Sequence, residues 1–180
     1  MKVLNFKPAT ALLLLFIMAT ACDEIDDLTE FDINESFTTT FNVNIPENEN
    51  EEELSFTESS IIDLGQVQEI NDNLDFIQNV TVNSISFEIT NFSGAEDADL
   101  TNVTLAFGTR VISFSNIGLQ EADTNNTLYT IDDAADLSAI SNALESNPVL
   151  SVELSAGITN TPAVFDVVVT VDAKVTIDVI

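Results

Sequence analysis

The side chains that could do chemistry in this chain are carboxylates, and they cluster in two short stretches. Glu96, Asp97 and Asp99 lie close together in the sequence, and residues 47–53 hold five glutamates. Calcium prefers carboxylate oxygens of this kind as ligands. Neither stretch has the spacing of an EF-hand loop, so the alternative for both is a set of solvated loop charges. Calcium at Glu96, Asp97 and Asp99 is therefore a candidate, and we expect no other metal and no cofactor.

Histidine, the side chain that enzymes use most often for proton transfer, is missing. The sequence contains no histidine, which excludes His-based acid–base catalysis, Ser-His-Asp and Cys-His nucleophiles, and the usual zinc and copper sites. Paired carboxylates could serve a glycosidase. A sugar cleft normally needs aromatic platforms, however, and the chain has twelve phenylalanines, one tyrosine and no tryptophan. The sequence also lacks nucleotide-binding and nucleophile-elbow motifs, so we expect a protein that is not an enzyme.

The only cysteine, Cys22, ends a segment with the pattern of a secretory signal. Lys2 and Lys7 form a basic start, residues 11–19 are apolar, and two small residues precede the cysteine. A membrane-spanning helix would need about 20 apolar residues. The apolar stretch is shorter than that, and seven acidic residues follow it within residues 23–35. The remaining alternative is an ordinary secretory signal with an incidental cysteine.

With a cysteine directly after the cleavage point, this segment resembles a bacterial lipoprotein signal peptide. Such signals prefer leucine three residues before the cysteine, where this chain has Ala19. The acidic residues after Cys22 resemble those of small outer-membrane lipoproteins of Bacteroidetes bacteria, in which they accompany display on the outer face. The resemblance implies removal of residues 1–21, attachment of diacylglycerol and palmitate to Cys22, and a surface-exposed protein anchored in the outer membrane by these chains. It implies little about function.

The charge of the chain limits its partners. Thirty-one acidic residues against four basic ones give a formal net charge of −27 at pH 7. After removal of residues 1–21, only Arg110 and Lys174 would remain as cations. Such a charge repels nucleic acid and anionic lipid headgroups. We therefore exclude nucleic-acid binding and leave a protein or polysaccharide partner open.

Alternating apolar and polar residues predict several β-strands. The predicted strands cover residues 36–45, 54–62, 80–91, 103–107, 111–117, 128–131 and 150–154. A change of parity near Asn83 and Ser84 predicts a bulge. The clearest alternation covers residues 163–179, with apolar side chains at every odd position. A strand of that length would span about 55 Å, so we expect it to bend, to cross between sheets or to overhang the domain.

Two segments have helical spacing instead. Apolar residues three or four apart predict a helix over residues 63–79. Asp132 or Asp133 can cap a second helix that ends near Ser146. Residues 118–127, in contrast, have the composition of a polar loop.

Many short strands with few helices predict an all-β fold, namely an antiparallel β-sandwich with one or two short accessory helices. The predicted organisation has three parts. A lipoprotein signal peptide covers residues 1–21, an acidic tether covers residues 22–35, and a single β-sandwich domain covers residues 36–180.

Three functions are compatible with this sequence. The first is a lipid-anchored β-sandwich of the cell envelope that acts as a non-enzymatic interaction or structural module. The second is a fibre or assembly subunit whose strand over residues 163–179 adds to the sheet of another chain. The alternative for that strand is pairing inside its own domain. The third is a binder of a small hydrophobic ligand, held between phenylalanine-rich sheets.

Overall fold

Two antiparallel β-sheets packed face to face form the fold, which confirms the predicted all-β sandwich. The computed structural model describes residues 29–48 and 54–179. In spatial order, the first sheet contains β1 (Glu30–Ile45), β9 (Ala163–Asp178), β3 (Ile77–Gly94) and β7 (Leu128–Ile131). The second sheet contains β2 (Leu54–Asp63), β8 (Val149–Ile158), β4 (Asp99–Phe107) and β5 (Arg110–Ser113), and β6 (Ile117–Gly118) also pairs with β4.

The strand connections define two ends of the sandwich. At one end, which we call the base, β1 and β3 begin and β9 ends, so that Phe31 and Ile77 both pair with Ile177. At the other end, which we call the loop end, Ile45 pairs with Ala163 and short connections join the two sheets. The loop end comprises residues 46–48, 95–99, 117–126 and 159–162. The N-terminal side of the described chain therefore enters the domain at the base.

Apolar residues at alternate positions of both sheets fill the space between them. On β9, every odd-numbered residue from Ala163 to Ile177 is at most 1% exposed, as the alternation predicts. On β3, Val82 and then Ile85 face the same core although their parity differs. This is because the pairing with β9 shifts between Val82 and Ser84, which confirms the predicted bulge.

Aromatic rings occupy much of this interior. Phe87 meets Phe114 edge-to-face and stacks on Tyr129, with ring centroids 4.9 and 4.8 Å apart. Phe56 and Phe165 join the two sheets through a second edge-to-face contact, with centroids 6.2 Å apart. At these positions the phenylalanine-rich interior is filled by its own side chains.

β9 is the central strand of the first sheet. It pairs with β1 along its whole length, and with β3 from Ala163 to Ile177. The expectation that this strand crosses between sheets or overhangs the domain is therefore wrong. The sheet accommodates the long β9 because β1 and β3 are at least as long, at 16 and 18 residues. A strand paired on both edges is not available to the sheet of another chain.

The folded domain begins earlier than predicted. β1 starts at Glu30, so residues 30–35 of the tether predicted over 22–35 belong to the first sheet. The prediction missed them because Glu35 stands where the alternation calls for an apolar residue. Cys22 and all other residues before 29 lie outside the described part of the chain.

Two of the edge strands, β1 and β2, have charges at inward-facing positions. Within the described chain, β1 pairs only with β9 and β2 only with β8. Glu35 on β1 and Glu58 on β2 fall in the same alternation as core residues, yet both remain exposed. Inward-pointing charges on edge strands oppose pairing with another chain. Thr39 and Ser60 form a hydrogen bond between β1 and β2.

The segment between β2 and β3 closes the base, but it is not the single helix predicted over residues 63–79. It forms a 3-10 turn (Leu64–Gln66), the short helix α1 (Gln68–Asn71) and a second 3-10 turn (Leu74–Phe76). Leu64 and Ile70 are fully buried and cover the end of the core. Gly65 and residues 71–73 are poor helix formers, which accounts for the breaks.

The second predicted helix is present as α3 (Ala134–Ser146). Asp133 caps it, as one of the two predicted candidates, by accepting hydrogen bonds of 3.0 and 3.1 Å from backbone N–H groups of the first turn. Ile140 is fully buried. The Ser141 hydroxyl accepts a 2.9 Å hydrogen bond from the backbone N–H of Val82, so α3 covers the edge of β3 that β7 leaves open.

A further helix, α2 (Leu119–Thr124), lies within residues 118–127, which were predicted to be a polar loop. Leu119 and Ala122, three residues apart on this helix, are its buried residues. Three α-helices thus accompany the described strands, instead of one or two. Within residues 29–48 and 54–179, none of the helices has the length and apolar character that a membrane span requires.

Candidate functional site

A ladder of polar side chains runs along the outer face of the first sheet, centred on the even-numbered residues of β9. Asp166 accepts hydrogen bonds from the side-chain amides of Asn42 on β1 and Asn91 on β3, at 2.6 and 2.7 Å. Asn91 lies at a register shift of β3, and its φ of 58° is in the left-handed region that asparagine tolerates. One carboxylate therefore joins three strands.

Further along β9, Asp172 repeats this arrangement. One of its oxygens accepts a hydrogen bond from the hydroxyl of Ser36 on β1. The other accepts a 2.8 Å hydrogen bond from the hydroxyl of Ser84 on β3. The two aspartates are six residues apart, which corresponds to about 20 Å along the strand. The ladder thus fixes the register of the sheet near both of its ends.

Nearest the base, Asp32 on β1 accepts hydrogen bonds from the Thr176 hydroxyl at 2.7 Å and the Lys174 ammonium at 3.2 Å. These donors, Thr176 first, hold the pKa of Asp32 below its ordinary value. Two asparagine amides, that of Asn42 first, likewise hold the pKa of Asp166 below its ordinary value. Carboxylates with lowered pKa values stay ionised at neutral pH, so both suit structural hydrogen bonding better than general acid–base catalysis.

The three calcium candidates lie at the loop end. Glu96 and Asp97 occupy the turn between β3 and β4, Asp99 begins β4, and all three are exposed. The neighbouring turn holds their backbone in place. The Asn160 side chain donates to the carbonyl of Asp97 at 2.9 Å, and the N–H of Thr159 donates to the carbonyl of Asp99 at 3.0 Å. These bonds use backbone carbonyls and leave the carboxylates at the surface.

A surface depression of about 410 Å³ lies beside this turn. Glu96 and Asp99 line it, together with Glu121 from α2, whereas Asp97 does not. Within residues 29–48 and 54–179, no three histidine, cysteine, aspartate or glutamate side chains come close enough together to hold a metal ion. The fold therefore brings two of the calcium candidates to one depression without building a metal cluster.

Both cations of the described chain are in ion pairs. Lys174 pairs with Asp32 on the outer face of the first sheet, at 3.2 Å. Arg110, at the start of β5, pairs with Asp136 of α3, whose side chain is only 13% exposed. This second pair ties α3 to the edge of the second sheet. The described carboxylates of the loop end, in contrast, have no cation among them.

The ladder and the Arg110–Asp136 pair were not predicted from the sequence. The alternation on β9 marked Asp166 as a residue of the polar face, but its neighbours depend on which strands flank β9. Asn42 is 124 residues away in the chain, and no local signal identifies it as a partner. Lipidation of Cys22 stays a prediction, because that residue lies outside the described part of the chain.

Comparison with known proteins does not assign a family. No protein-family model matches the chain, and no curated protein matches its sequence. The function has to be argued from the residues and their geometry, since a fold alone does not determine it.

Proposed function

We propose that this protein is a lipid-anchored β-sandwich of the cell envelope, held at the outer membrane through lipidated Cys22 and displayed on the cell surface. In this proposal it is a non-enzymatic interaction or structural module. The placement of β1 supports it most. This strand begins eight residues after Cys22, at the base, and its 16 residues extend about 50 Å to the loop end. An anchor at the base would hold the acidic loop end away from the membrane.

The charge of the molecule indicates the chemistry of its partner. The net charge is −27, and both described cations are already paired with carboxylates. A partner that binds the loop end must therefore supply positive charge, either on its own surface or through bridging cations. A basic protein surface, or a polysaccharide with associated cations, meets this requirement.

The two alternative functions gain no support from the geometry. A fibre subunit needs a free C-terminal strand, and β9 is paired on both of its edges. A binder of hydrophobic ligands needs a cavity between the sheets. Around Phe87 and Phe165 that space holds packed aromatic rings.

Protease treatment of intact cells tests the proposal, with a Cys22→Ala variant in parallel. A protease that cuts after glutamate suits this chain, since residues 47–53 hold five glutamates. Trypsin would find only Arg110 and Lys174 after residue 21. We expect loss of the wild-type protein without cell lysis, and we expect the Cys22→Ala protein to leave the membrane fraction.

The possible outcomes separate the parts of the proposal. Protection of the protein until the cells are lysed would contradict surface display and leave the anchor intact. A Cys22→Ala protein that still fractionates with membranes would contradict the lipid anchor itself. A periplasmic protein followed in the same samples shows whether the cells have remained closed.

A further inference from the structure

The base of the sandwich exposes apolar side chains. Leu74, Phe76 and Val179 are 36%, 46% and 47% exposed. Phe76 is the most exposed phenylalanine within residues 29–48 and 54–179, since the others are buried or partly buried. A phenylalanine so placed contributes little to the core and is available to another surface.

The strand register brings these side chains to one edge of the molecule. Ile77 pairs with Ile177, so Phe76 and Val179 lie just beyond this pair at the base. The N–H of Val179 donates to the carbonyl of Thr29 at 3.4 Å. Val179 therefore lies beside the point at which the N-terminal segment joins the domain, and Phe76 directly precedes β3, the other neighbour of β9.

We propose that the base rests on the surface of the lipid bilayer, with the Phe76 ring among the lipid headgroups and Leu74 and Val179 beside it. The inference rests on the proposed lipid anchor at Cys22, because that anchor is what brings the base to the membrane. An aromatic or aliphatic side chain at this depth gains favourable apolar contact.

The length of the tether supports this orientation. Six residues, 23–28, separate the lipidated Cys22 from the described domain, so Cys22 and Thr29 are seven positions apart in the sequence. Fully extended, a chain of that length spans at most about 25 Å. A domain held this closely meets the bilayer with the end that bears the tether, and that end is the base.

The charges around the base define which bilayer it fits. Asp75 and Asp178 lie beside the exposed apolar residues, and anionic headgroups would repel them. Arg110 and Lys174, the two described cations, lie in the half of the sandwich nearer the base. Carboxylates outnumber these cations at the base, so it suits a zwitterionic surface better than an anionic one. The contact between the base and the bilayer should weaken as the fraction of anionic lipid increases.

A single tryptophan tests the contact, since the natural chain contains none. The lipidated full-length protein with Phe76→Trp is reconstituted into phosphatidylcholine vesicles whose acyl chains are brominated close to the headgroups. Bromine quenches the fluorescence of tryptophan that it touches. The matched control is Leu128→Trp, a 58% exposed position that pairs with Glu88 in the middle of the sandwich.

We expect quenching of Phe76→Trp to be at least twofold stronger than quenching of Leu128→Trp. The difference should shrink as phosphatidylglycerol replaces phosphatidylcholine. Leu74→Trp serves as a second probe of the same end, and far-UV circular dichroism confirms that each variant is folded.

Equal quenching at positions 76 and 128 would overturn the inference while leaving the lipid anchor in place. It would also be overturned if Phe76→Trp emitted at short wavelength without vesicles and did not respond to them. That result would mean that residues 23–28, or a second copy of the chain, cover the base. If the lipidated proteins failed to float with vesicles, the proposed anchor would fail, and this inference would fail with it.

Discussion

At Asp166, one carboxylate accepts amide hydrogen bonds from both neighbouring strands, on a face that is open to solvent. Each bond to an ionised acceptor is stronger than a neutral one, but water competes for it. The residue therefore contributes modestly to stability and strongly to register, because only one alignment of the three strands presents Asn42 and Asn91 to it. The lowered pKa of Asp166 makes this contribution dependent on pH.

The sign of that dependence follows from linkage. An aspartate whose folded-state pKa is depressed stabilises the fold above its unfolded-state value of about 3.9, and this stabilisation disappears as the pH falls through the folded-state pKa. We predict that Asp166→Asn lowers the free energy of unfolding at pH 7 by about 0.5 kcal/mol, after allowance for solvent screening. The variant should also lose less stability than the wild type between about pH 5 and pH 3.

Urea unfolding over a pH series measures both effects. Glu153→Gln removes the same charge from the outer face of the second sheet and controls for the general relief of repulsion. Equal acid sensitivity of Asp166→Asn and the wild type would contradict the role assigned to this carboxylate.

Arg110 and Asp136 form the more consequential of the two ion pairs, because the carboxylate is largely buried. Arg110→Met would leave that carboxylate without its cation, and we predict a loss of about 1–2 kcal/mol in the free energy of unfolding. Lys174→Met changes the net charge equally, but it breaks an exposed pair and should have a much smaller effect. Equal losses in the two variants would show that the burial of Asp136 does not increase the contribution of its ion pair to stability.

Among the elements, β9 matters most, since it lies between β1 and β3 and supplies a continuous row of core residues. We predict that deletion of residues 170–180 abolishes the cooperative unfolding transition, because both neighbouring strands lose their partner over half their length. Circular dichroism with urea titration measures this, and deletion of residues 179–180 alone is the matched control. A folded truncated protein that no longer assembles would instead support the fibre alternative.

The elements also show which sequence patterns sufficed. Alternation over residues 163–177 predicted the buried face of β9, because a strand enclosed in a sandwich has only one way to bury that many apolar side chains. The spacing of apolar residues predicted one helix over residues 63–79, and this was wrong. Gly65 and the polar residues 71–73 interrupt that helix. The same spacing did not indicate α2, because its two buried residues are too few to show a helical period.

At the site, the sequence indicated the calcium candidates and Cys22, but not the ladder. Glu96, Asp97 and Asp99 are adjacent in the chain, so their proximity could be predicted. The contacts of Asp166 and Asp136 join residues distant in the chain, and they became visible only with the topology. The fold was therefore more predictable than the contacts that order its surface.

For the whole molecule, the dominant quantity is the net charge of −27. Carboxylates repel one another in the folded state, and salt screens this repulsion. We predict that raising sodium chloride from low to near-physiological concentration increases the free energy of unfolding by about 1 kcal/mol, since individual surface charge contacts contribute a few tenths each. Urea unfolding at each salt concentration measures the increase, and stability independent of salt would contradict it.

Calcium and magnesium chloride, compared at equal concentration, show whether screening is the whole effect. General screening predicts the same increase with both ions. A larger increase with calcium that disappears in an Asp99→Asn variant would instead indicate a specific site at the loop end. The described carboxylates there form no cluster of three, so we expect equal effects.

The adjacency of Thr29 and Val179 at the base has a mechanical consequence. A pull between the N-terminal tether and a partner at the loop end acts along the axis of β1. Its sixteen residue pairs with β9 then bear the load in shear and have to yield together. A pull that separates Thr29 from Val179 acts across the same two strands. It opens their residue pairs one at a time, starting from Glu30 and Asp178. The domain should resist high force in the first direction and unzip at low force in the second.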